Sequence, residues 1–388
     1  MIAFVGSVGS RHCEGVSYRK RVTTLPSAGR IQCQPKASRG INGTSRIRCS
    51  AEANVEKRDV VHVTARALDH ATNLFPVWVF SSAMIGIAAP QTILWFQGGW
   101  VFWTLSLIML GMGLTLPVDE FVEALKTPQK VIIGAAAQFA IMPLLGLTIA
   151  NGLQLPTPYL LGLVLVSTCP GGTASNLVCL LCGANVSLSV LMTTATTLLS
   201  VFMTPFLLKV LVGQVVPINA AALMLSTAQI VLLPLAVGIF MQRFVPKLVK
   251  AIELFLPFSS VLGVAAICSS IVAMNRDMLL TSGPKLLLAV LLLHLFGFLL
   301  GYLFGRAIGF SEKDSRTVSI EVGMQNSGLG AVLAQLHFAN PLTSVPSAIS
   351  ATTHSILGST LSAFWRLMDR RKQLAEEREN RRGVPTTT

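Results

Sequence analysis

The apolar run at residues 160–182 is interrupted by Cys169-Pro170-Gly171-Gly172-Thr173-Ala174-Ser175-Asn176. Proline removes a backbone donor and clashes with the preceding helical turn, and paired glycines loosen the backbone further. Broken backbone at membrane depth persists only where protein buries it or where it lines a water-filled cavity. The stretch therefore predicts a binding site inside a membrane protein, with a helix break at Pro170, Gly171 and Gly172.

The composition supports a membrane protein. Of the 388 residues, 52% are hydrophobic and 12% are charged, whereas about 25% of a soluble protein is charged. Apolar runs near 20 residues, long enough to cross a hydrocarbon core of about 30 Å, recur along the chain. We predict an all-α polytopic fold with about ten spans, at residues 74–90, 100–117, 131–150, 158–182, 186–208, 219–242, 254–274, 286–305, 317–338 and 346–368.

The net charge of +13 does not indicate nucleic-acid binding, because the basic residues lie mainly in the N-terminal segment, the loops and the tail and lack interleaved aromatics. Residues 1–50 are rich in Ser, Arg and Gly, with Glu14 as their one acid. They lack the apolar core of a secretory signal, so they are predicted to be a cleaved plastid transit peptide. A mitochondrial address or a plain disordered tail are the alternatives. A polar lead-in at 51–73 and a charged C-terminal tail at 369–388 flank the spans.

Loop charges predict the orientation. Ten spans place both termini on one side of the membrane. The loops on that side contain Lys126, Lys130, Arg243, Lys247, Lys250, Arg306, Lys313 and Arg316, and the opposite loops contain Lys209, Arg276 and Lys285. The excess of basic residues predicts that both termini lie inside, meaning the stroma, the matrix or the cytoplasm, and the predicted transit peptide favours the stroma.

The spans divide into two groups of five, at 74–214 and 215–368. An odd number of spans per half forces the second half to insert upside down. A second polar interruption, Glu321-Val322-Gly323-Met324-Gln325-Asn326, falls in the ninth span, as the first falls in the fourth. Inverted repeats with paired interrupted helices are typical of secondary transporters, and the interruptions mark the binding site.

Glu321 is the most informative residue, because an acidic side chain in mid-membrane costs about 2.5–3.5 kcal/mol on insertion scales. Apart from His294 and His354, the neighbouring spans offer no basic side chain in their interiors. The sequence therefore predicts an external hard cation bound by oxygen ligands, and sodium suits one carboxylate with neutral oxygens. A protonated Glu321, one bonded to a helix terminus, or a proton-coupled carrier are the alternatives.

Ser189 and Thr193 lie four residues apart on the fifth span, so they share one helix face. They can supply hydroxyl oxygens toward the break in the fourth span, although such residues commonly serve as contacts between membrane helices. Gln138, an amide within the third span, has the same two interpretations.

The motif at residues 169–176, the motif at 321–326 and the ten-span plan together resemble the bile acid:sodium symporter family, in particular its branch of plant plastid sodium/metabolite cotransporters. The resemblance covers residues 74–368. It implies a core domain whose discontinuous fourth and ninth helices cross, and a panel domain that rocks against the core.

The resemblance also implies residue roles. The first sodium site would use Ser175, Asn176, Ser189, Thr193 and Glu321. The second would use Gln138, Glu321, Gln325 and the carbonyls of Val322 and Met324, near the flexible Gly323. Substrate would face Thr173 and Asn326. The family often shows His-Asn on the tenth span where this chain has His354-Ser355, a departure that weakens a substrate role for this pair and argues against bile acids.

These observations predict a sodium-coupled symporter, not an enzyme, that moves a small 2-keto or hydroxy monocarboxylate across the inner plastid envelope membrane. Sodium is its coupling ion, no cofactor is expected, and a monomer in the bilayer suffices. A proton-coupled or uncoupled carrier of the same fold is the main alternative. An intramembrane hydrolase is remote, because the sequence lacks G-x-S-x-G and H-E-x-x-H.

Overall fold

The described part of the chain is built from helices joined by short connections. The computed structural model describes residues 68, 71–72, 74–116, 128–172 and 174–382, which belong to the second of two compact units, Ala67–Thr388. Within these ranges the structure contains no β-strand, only one isolated bridge between two residues. The predicted transit peptide, nearly all of the lead-in and Thr173 lie outside the described residues.

Fourteen α-helices are numbered here in chain order among the described residues. They are α1 (Phe75–Ala88), α2 (Gly99–Thr115), α3 (Pro128–Gly152), α4 (Thr157–Ser167), α5 (Ala174–Leu181), α6 (Val186–Val212), α7 (Ala220–Thr227), α8 (Leu233–Phe244), α9 (Pro246–Ile252), α10 (Leu256–Met274), α11 (Arg276–Ala307), α12 (Glu312–Gly323), α13 (Ser327–His337) and α14 (Val345–Arg382). Short 3₁₀ helices cover Pro90–Thr92 and Pro341–Ser344, and a π-helical turn, Ala228–Leu232, joins α7 to α8.

Five helical rods are long and apolar enough to cross a bilayer: Pro128–Gly152, Val186–Val212, Ala220–Phe244, Leu256–Met274 and Gly283–Ala307. Three apolar helices are shorter: Phe75–Ala88, Gly99–Thr115 and Thr157–Ser167. The fourth and ninth predicted spans are each divided into two helices, α4 with α5 and α12 with α13. Each half is too short to span alone, because about 20 residues are needed.

Two helices extend beyond their predicted bounds. The eighth span was expected from residue 286, but α11 begins at Arg276, and the tenth continues without interruption to Arg382. Hydropathy alone places the end of a span where charge begins, whereas α14 continues through the Arg, Lys and Glu residues of 369–382, which favour helix. The π turn ends two residues before Pro234, whose ring and missing N–H disturb the regular ladder of helix hydrogen bonds.

The helices form two packed groups. One group, called the panel here, contains α1, α2, α8 and α10, in which α1 packs on α10 and α2 packs on α8, whereas α7 contacts mainly α6 and the π turn. The core comprises α3–α6 and α11–α14, in which α11 packs on α12, α3 and α14. An apolar cluster joins the two groups, with Leu105, Met109, Ile267 and Ile271 from the panel and Leu161, Val164, Leu329 and Val332 from the core.

Charged side chains tie one end of the core together around Arg316, which is only 3% exposed at the start of α12. Its guanidinium donates to both carboxylate oxygens of Asp369 at 2.6 and 2.8 Å, to Glu312 at 3.1 Å and to the Cys182 carbonyl at 3.2 Å. It also lies 5.4 Å from the ring centroid of Trp365. The hydrogen bonds to Asp369 hold the pKa of Arg316 above its usual value, so this charge is permanent.

Asp314 makes a second tie at the same end. Lys130 Nζ donates to it at 2.7 Å and Asn185 Nδ2 at 2.8 Å. Burial alone would raise the pKa of Asp314, but hydrogen bonds from Lys130, Asn185 and Ser311 outweigh it and lower the pKa below its usual value. The starts of α3, α6 and α12 are therefore joined by an ionised carboxylate.

Candidate functional site

The two helix breaks cross in direct backbone contact. Gly171 and Gln325 form an antiparallel bridge. The Gly172 N–H donates to the Met324 carbonyl at 3.0 Å, and the Asn326 N–H donates to the Pro170 carbonyl at 2.8 Å. Each break thereby satisfies polar backbone groups of the other, which unwound segments need in a setting that excludes water.

Gly171 and Gly172 permit this close approach. A Cβ atom on Gly171 would lie 2.7 Å from Glu321 Oε2, and one on Gly172 would lie 2.8 Å from the Gln325 carbonyl oxygen. Both distances are shorter than van der Waals contact allows. A side chain at 171 would therefore displace the Glu321 carboxylate, and one at 172 would push the two backbones apart. The paired glycines are therefore explained by the crossing itself.

Glu321, in the last turn of α12, points into this crossing and is 2% exposed. Its Oε1 accepts hydrogen bonds from the hydroxyls of Ser175 at 2.6 Å and Ser189 at 2.5 Å. Its Oε2 accepts from the Thr193 hydroxyl at 2.7 Å. Residues from α5, α6 and α12 thus converge on one carboxylate, and we call these four residues with Asn176 the carboxylate cluster.

The carboxylate cluster has more acceptors than protons. Ser189 Oγ also lies 2.8 Å from Asn176 Oδ1, Thr193 Oγ1 lies 3.2 Å from the same oxygen, and Ser175 Oγ lies 2.7 Å from the Gly172 carbonyl. Because a hydroxyl has one proton and two lone pairs, the three hydroxyls cannot satisfy all of these oxygens together. A cation among them would relieve the deficit by using the hydroxyl lone pairs.

The ligand types suit a hard monovalent cation. In the part of the chain that the structure describes, Glu321 forms no ion pair with Lys or Arg. The same residues contain no group of three or more His, Cys, Asp and Glu side chains that could hold a metal. One carboxylate with neutral hydroxyl and amide oxygens fits a singly charged alkali ion.

A second cluster surrounds Gln138 on α3. Its Nε2 donates to the Cys169 carbonyl at 3.1 Å and to Gln325 Oε1 at 2.9 Å, and Gln325 Nε2 donates to the Val322 carbonyl at 2.8 Å. Gln138 Oε1 is buried without a hydrogen-bond partner. A buried acceptor without a donor costs about 1–3 kcal/mol, so this oxygen is available to a cation beside the crossing.

The described residues that were expected to face substrate differ in whether their polar groups already have hydrogen-bond partners. Asn326 Oδ1 accepts from the Leu329 N–H at 3.1 Å and caps α13, and the Ser355 hydroxyl donates to the Ala351 carbonyl within α14. His354 is buried, and its Nδ1 lacks a hydrogen-bond partner. Its ring lies edge-on to that of His294, with the centroids 5.4 Å apart.

One group at the crossing was not predicted as part of the site. His294 on α11 contacts the Gly323 carbonyl through Nδ1 and Ser350 Oγ through Nε2, both at 2.8 Å, and Ser350 Oγ lies 2.7 Å from Ser327 Oγ. The sequence signal was a histidine inside an apolar span, which the sequence analysis considered only as a counter-charge for Glu321.

Comparison with known proteins identifies similar chains. A family model described as the sodium bile acid symporter family matches residues 102–282. A protein from Arabidopsis thaliana named probable sodium/metabolite cotransporter BASS1, chloroplastic, is 46% identical over 292 residues, which cover 75% of this chain and 73% of that protein. One from Oryza sativa subsp. japonica, named probable sodium/metabolite cotransporter BASS2, chloroplastic, is 42% identical over 324 residues, covering 82% and 77%.

A bacterial relative is similar over nearly its whole length. The uncharacterized sodium-dependent transporter YocS of Bacillus subtilis (strain 168) is 40% identical over 316 residues, which cover 81% of this chain and 98% of that protein. All three names are those of transporters. The similarity therefore extends well beyond the crossing.

Proposed function

The chain belongs to the sodium bile acid symporter family, and on that premise we propose that it is a sodium-coupled symporter of a small organic anion in the plastid envelope. The observation that carries the proposal is the environment of Glu321. Three hydroxyls donate to a buried carboxylate that pairs with no basic residue of the described ranges. Sodium supplies the missing charge.

Two ion sites share the crossing in this proposal. The carboxylate cluster forms the first. The second uses Gln138, whose free Oε1 is already buried there, with Gln325, Glu321 and the carbonyls of Val322 and Met324. Those two carbonyls accept from Gln325 Nε2 and the Gly172 N–H, and each retains a second lone pair for an ion.

The contacts between distant chain segments agree with ten spans in two inverted halves. Lys130 and Asp314, at the starts of the third and ninth predicted spans, form an ion pair, and Asn185, before the fifth, bonds to the same Asp314. At the other end Arg276 donates to the Ile87 carbonyl at 2.7 Å. Both sets of contacts join loops that the ten-span topology assigns to a common side, which supports that topology.

The packing favours a state that is sealed on one side. The apolar cluster between panel and core takes its core residues largely from α4 and α13. The cluster around α5 and α12, by contrast, comprises core residues such as Val178, Phe298, Ile320 and Trp365. In the proposed topology α5 and α12 are the stromal halves, so the site faces the stroma, and rocking of the panel would expose it to the other side.

The anion would bind beside the crossing. The amino-terminal ends of α5 and α13 meet there, and helix amino termini favour negative charge. Asn326 caps α13, and Thr173 directly precedes α5 in the sequence. His354, with its unpartnered Nδ1, is buried beside the ring of His294. Ser355 is smaller than the asparagine that the family often has at this position after the histidine. A compact carboxylate such as a 2-keto or hydroxy acid suits this polar setting.

The location proposed is the inner plastid envelope, with both termini in the stroma. Two of the relatives have names that describe them as chloroplastic, and residues 1–50 have the composition of a transit peptide. Sodium coupling requires a membrane tight enough to hold a gradient. One chain contains both halves of the site, so a monomer is sufficient.

The decisive experiment is uptake of labelled pyruvate and competing acids into liposomes that contain the purified protein. An inward sodium gradient should drive accumulation, and an equal potassium gradient should not. Two sodium ions with one monovalent anion would carry one net charge, so an inside-negative potential should add about 2.3 kcal/mol per 100 mV. Accumulation driven equally by a proton gradient without sodium would replace sodium coupling with proton coupling.

A further inference from the structure

His294 connects the two halves of the broken ninth span. Its Nδ1 contacts the carbonyl of Gly323, the last residue of α12, at 2.8 Å. Its Nε2 contacts Ser350 Oγ on α14 at 2.8 Å, and Ser350 reaches Ser327, the first residue of α13, at 2.7 Å. The imidazole, 0% exposed, therefore bridges the break in the ninth span, directly at Gly323 and through Ser350 at Ser327.

The chemistry of these contacts fixes the direction of each hydrogen bond. A carbonyl only accepts, so Nδ1 must hold the proton that Gly323 receives. Nε2 of the neutral ring is then an acceptor, Ser350 donates to it, and Ser327 donates to Ser350. Every proton in this chain has one acceptor, so the neutral tautomer with hydrogen on Nδ1 is fully satisfied.

The Gly323 carbonyl lies next to the proposed second ion site. The last carbonyls of a helix have no partner within it, and Gly323 stands between Val322 and Met324, whose carbonyls belong to the proposed second ion site. A hydrogen bond to the Gly323 carbonyl fixes the Gly323–Met324 peptide plane, which lies between the planes that hold the Val322 and Met324 carbonyls. Gln325, which completes the same site, follows within two residues.

We infer that His294 is a positioning residue for ion binding: it holds the end of α12 so that the carbonyls on either side of Gly323 point at the ion. The inference rests on the proposed function, because it presupposes that sodium binds at the crossing. The inference gives His294 a role in sodium binding and none in binding the organic anion. Loss of His294 should weaken sodium binding more than it weakens anion binding at saturating sodium.

The test compares sodium chloride with potassium chloride in a titration of the thermal unfolding midpoint of the purified full chain. His294→Leu fills the space without either hydrogen bond. His294→Asn places an amide N–H near the Nδ1 position, whereas His294→Gln places its amide near the Nε2 position. The matched control is Ser319→Ala, which removes another buried bond between α12 and α11, from Ser319 Oγ to the Phe298 carbonyl at 2.6 Å.

His294→Leu should raise the sodium concentration for half-maximal stabilisation by about tenfold. His294→Asn should restore it to within about threefold of wild type, and Ser319→Ala should leave it within about twofold. The Michaelis constant for pyruvate at saturating sodium should change less than the sodium constant in every variant. If His294→Leu does not fold, the comparison of His294→Asn with His294→Gln decides.

Equal sodium constants for His294→Asn and His294→Gln would overturn the inference, and so would a shift in Ser319→Ala as large as that in His294→Leu. Both results would mean that general loosening of the α11–α12 contact is responsible. A wild-type protein that is stabilised equally by sodium and potassium would refute the proposed function itself, and the inference with it. The two failures are therefore distinguishable.

Discussion

Asp314 and Glu321 are two buried carboxylates on one helix, seven residues apart, and their surroundings differ completely. Asp314 is 4% exposed and forms an ion pair with Lys130, with 2.7 Å between Asp314 Oδ2 and Lys130 Nζ. Glu321 is 2% exposed, and within the described ranges its carboxylate accepts hydrogen bonds from hydroxyls and forms no ion pair. Two turns of α12 therefore separate a carboxylate paired with a lysine from one surrounded by neutral groups.

The contrast bears on the proposed function. A buried ion pair resists removal of one partner, because the other is left uncompensated. The ion pair at Asp314 thereby holds the starts of α3, α6 and α12 together. In the proposed function, sodium takes the place of Lys130 at Glu321, so the compensating charge arrives and leaves with the ion.

Removing the charge of Glu321 should have the largest effect. Glu321→Gln keeps the shape of the side chain but removes the attraction for a cation, and loss of one partner of a buried charge pair costs about 3–5 kcal/mol. Sodium affinity should fall by at least about 100-fold, since each 1.4 kcal/mol is tenfold. Sodium-driven uptake in liposomes measures this, and wild-type sodium dependence in the variant would contradict the assignment.

Gln138→Leu should affect one ion site and spare the other. The change removes the free Oε1 and leaves the Cys169 carbonyl and Gln325 Oε1 without their donor, each lost bond costing about 1–3 kcal/mol. The Hill coefficient for sodium should fall from near 2 toward 1 in the uptake assay. A coefficient unchanged from wild type would place the second ion elsewhere.

The three hydroxyls of the carboxylate cluster should each contribute a smaller share. Ser175→Ala, Ser189→Ala and Thr193→Val should each weaken sodium binding about tenfold, because one ligand is lost while the carboxylate remains. Thr194→Val is the matched control: its hydroxyl is also buried on α6 but donates to the Val190 carbonyl of its own helix at 2.7 Å. An equal loss in the control would assign the effect to helix packing.

Asp314→Asn should leave sodium affinity within about twofold and act on stability instead. The folded-state pKa of Asp314 is lowered, so its contribution is fully present above the unfolded value of about 3.9 and is lost as pH falls through the lower folded value. The wild-type unfolding midpoint should exceed that of the variant near pH 7, and the difference should shrink below about pH 4. A constant difference across that range would contradict an ionised Asp314.

The helix breaks could be predicted because the residues at each one conflict with the apolar pattern around it. Pro170 with two glycines cannot continue α4, and the free energy of burying Glu321 in lipid is too high. The residues of each break therefore predict the interruption from their own segment. The helix ends at Ser167 and Gly323 and the restarts at Ala174 and Ser327 agree with that expectation. Signals of this kind depend on one segment and need no knowledge of its neighbours.

Contacts between segments were less accessible from the sequence. His294 reads as an isolated histidine until α11 packs on α12 and brings it to the Gly323 carbonyl. The pairing of Lys130 with Asp314 joins residues 184 positions apart, and nothing in their local sequence selects one partner among the nearby basic residues. The continuation of α14 to Arg382 was also undetermined, because a charged tail fits either a helix or a coil.

The bridge between Gly171 and Gln325 constrains how the gene for such a protein can change. Because the two breaks meet at one bridge with two backbone hydrogen bonds, one inserted or deleted codon between Ser167 and Ala174 would shift Gly172 away from Met324 and turn the next side chain to the wrong face. Substitutions at the crossing alter a ligand, but a change of length destroys the frame that presents all of them. Length variation should therefore accumulate in the loops that join the spans and be absent from these two short segments.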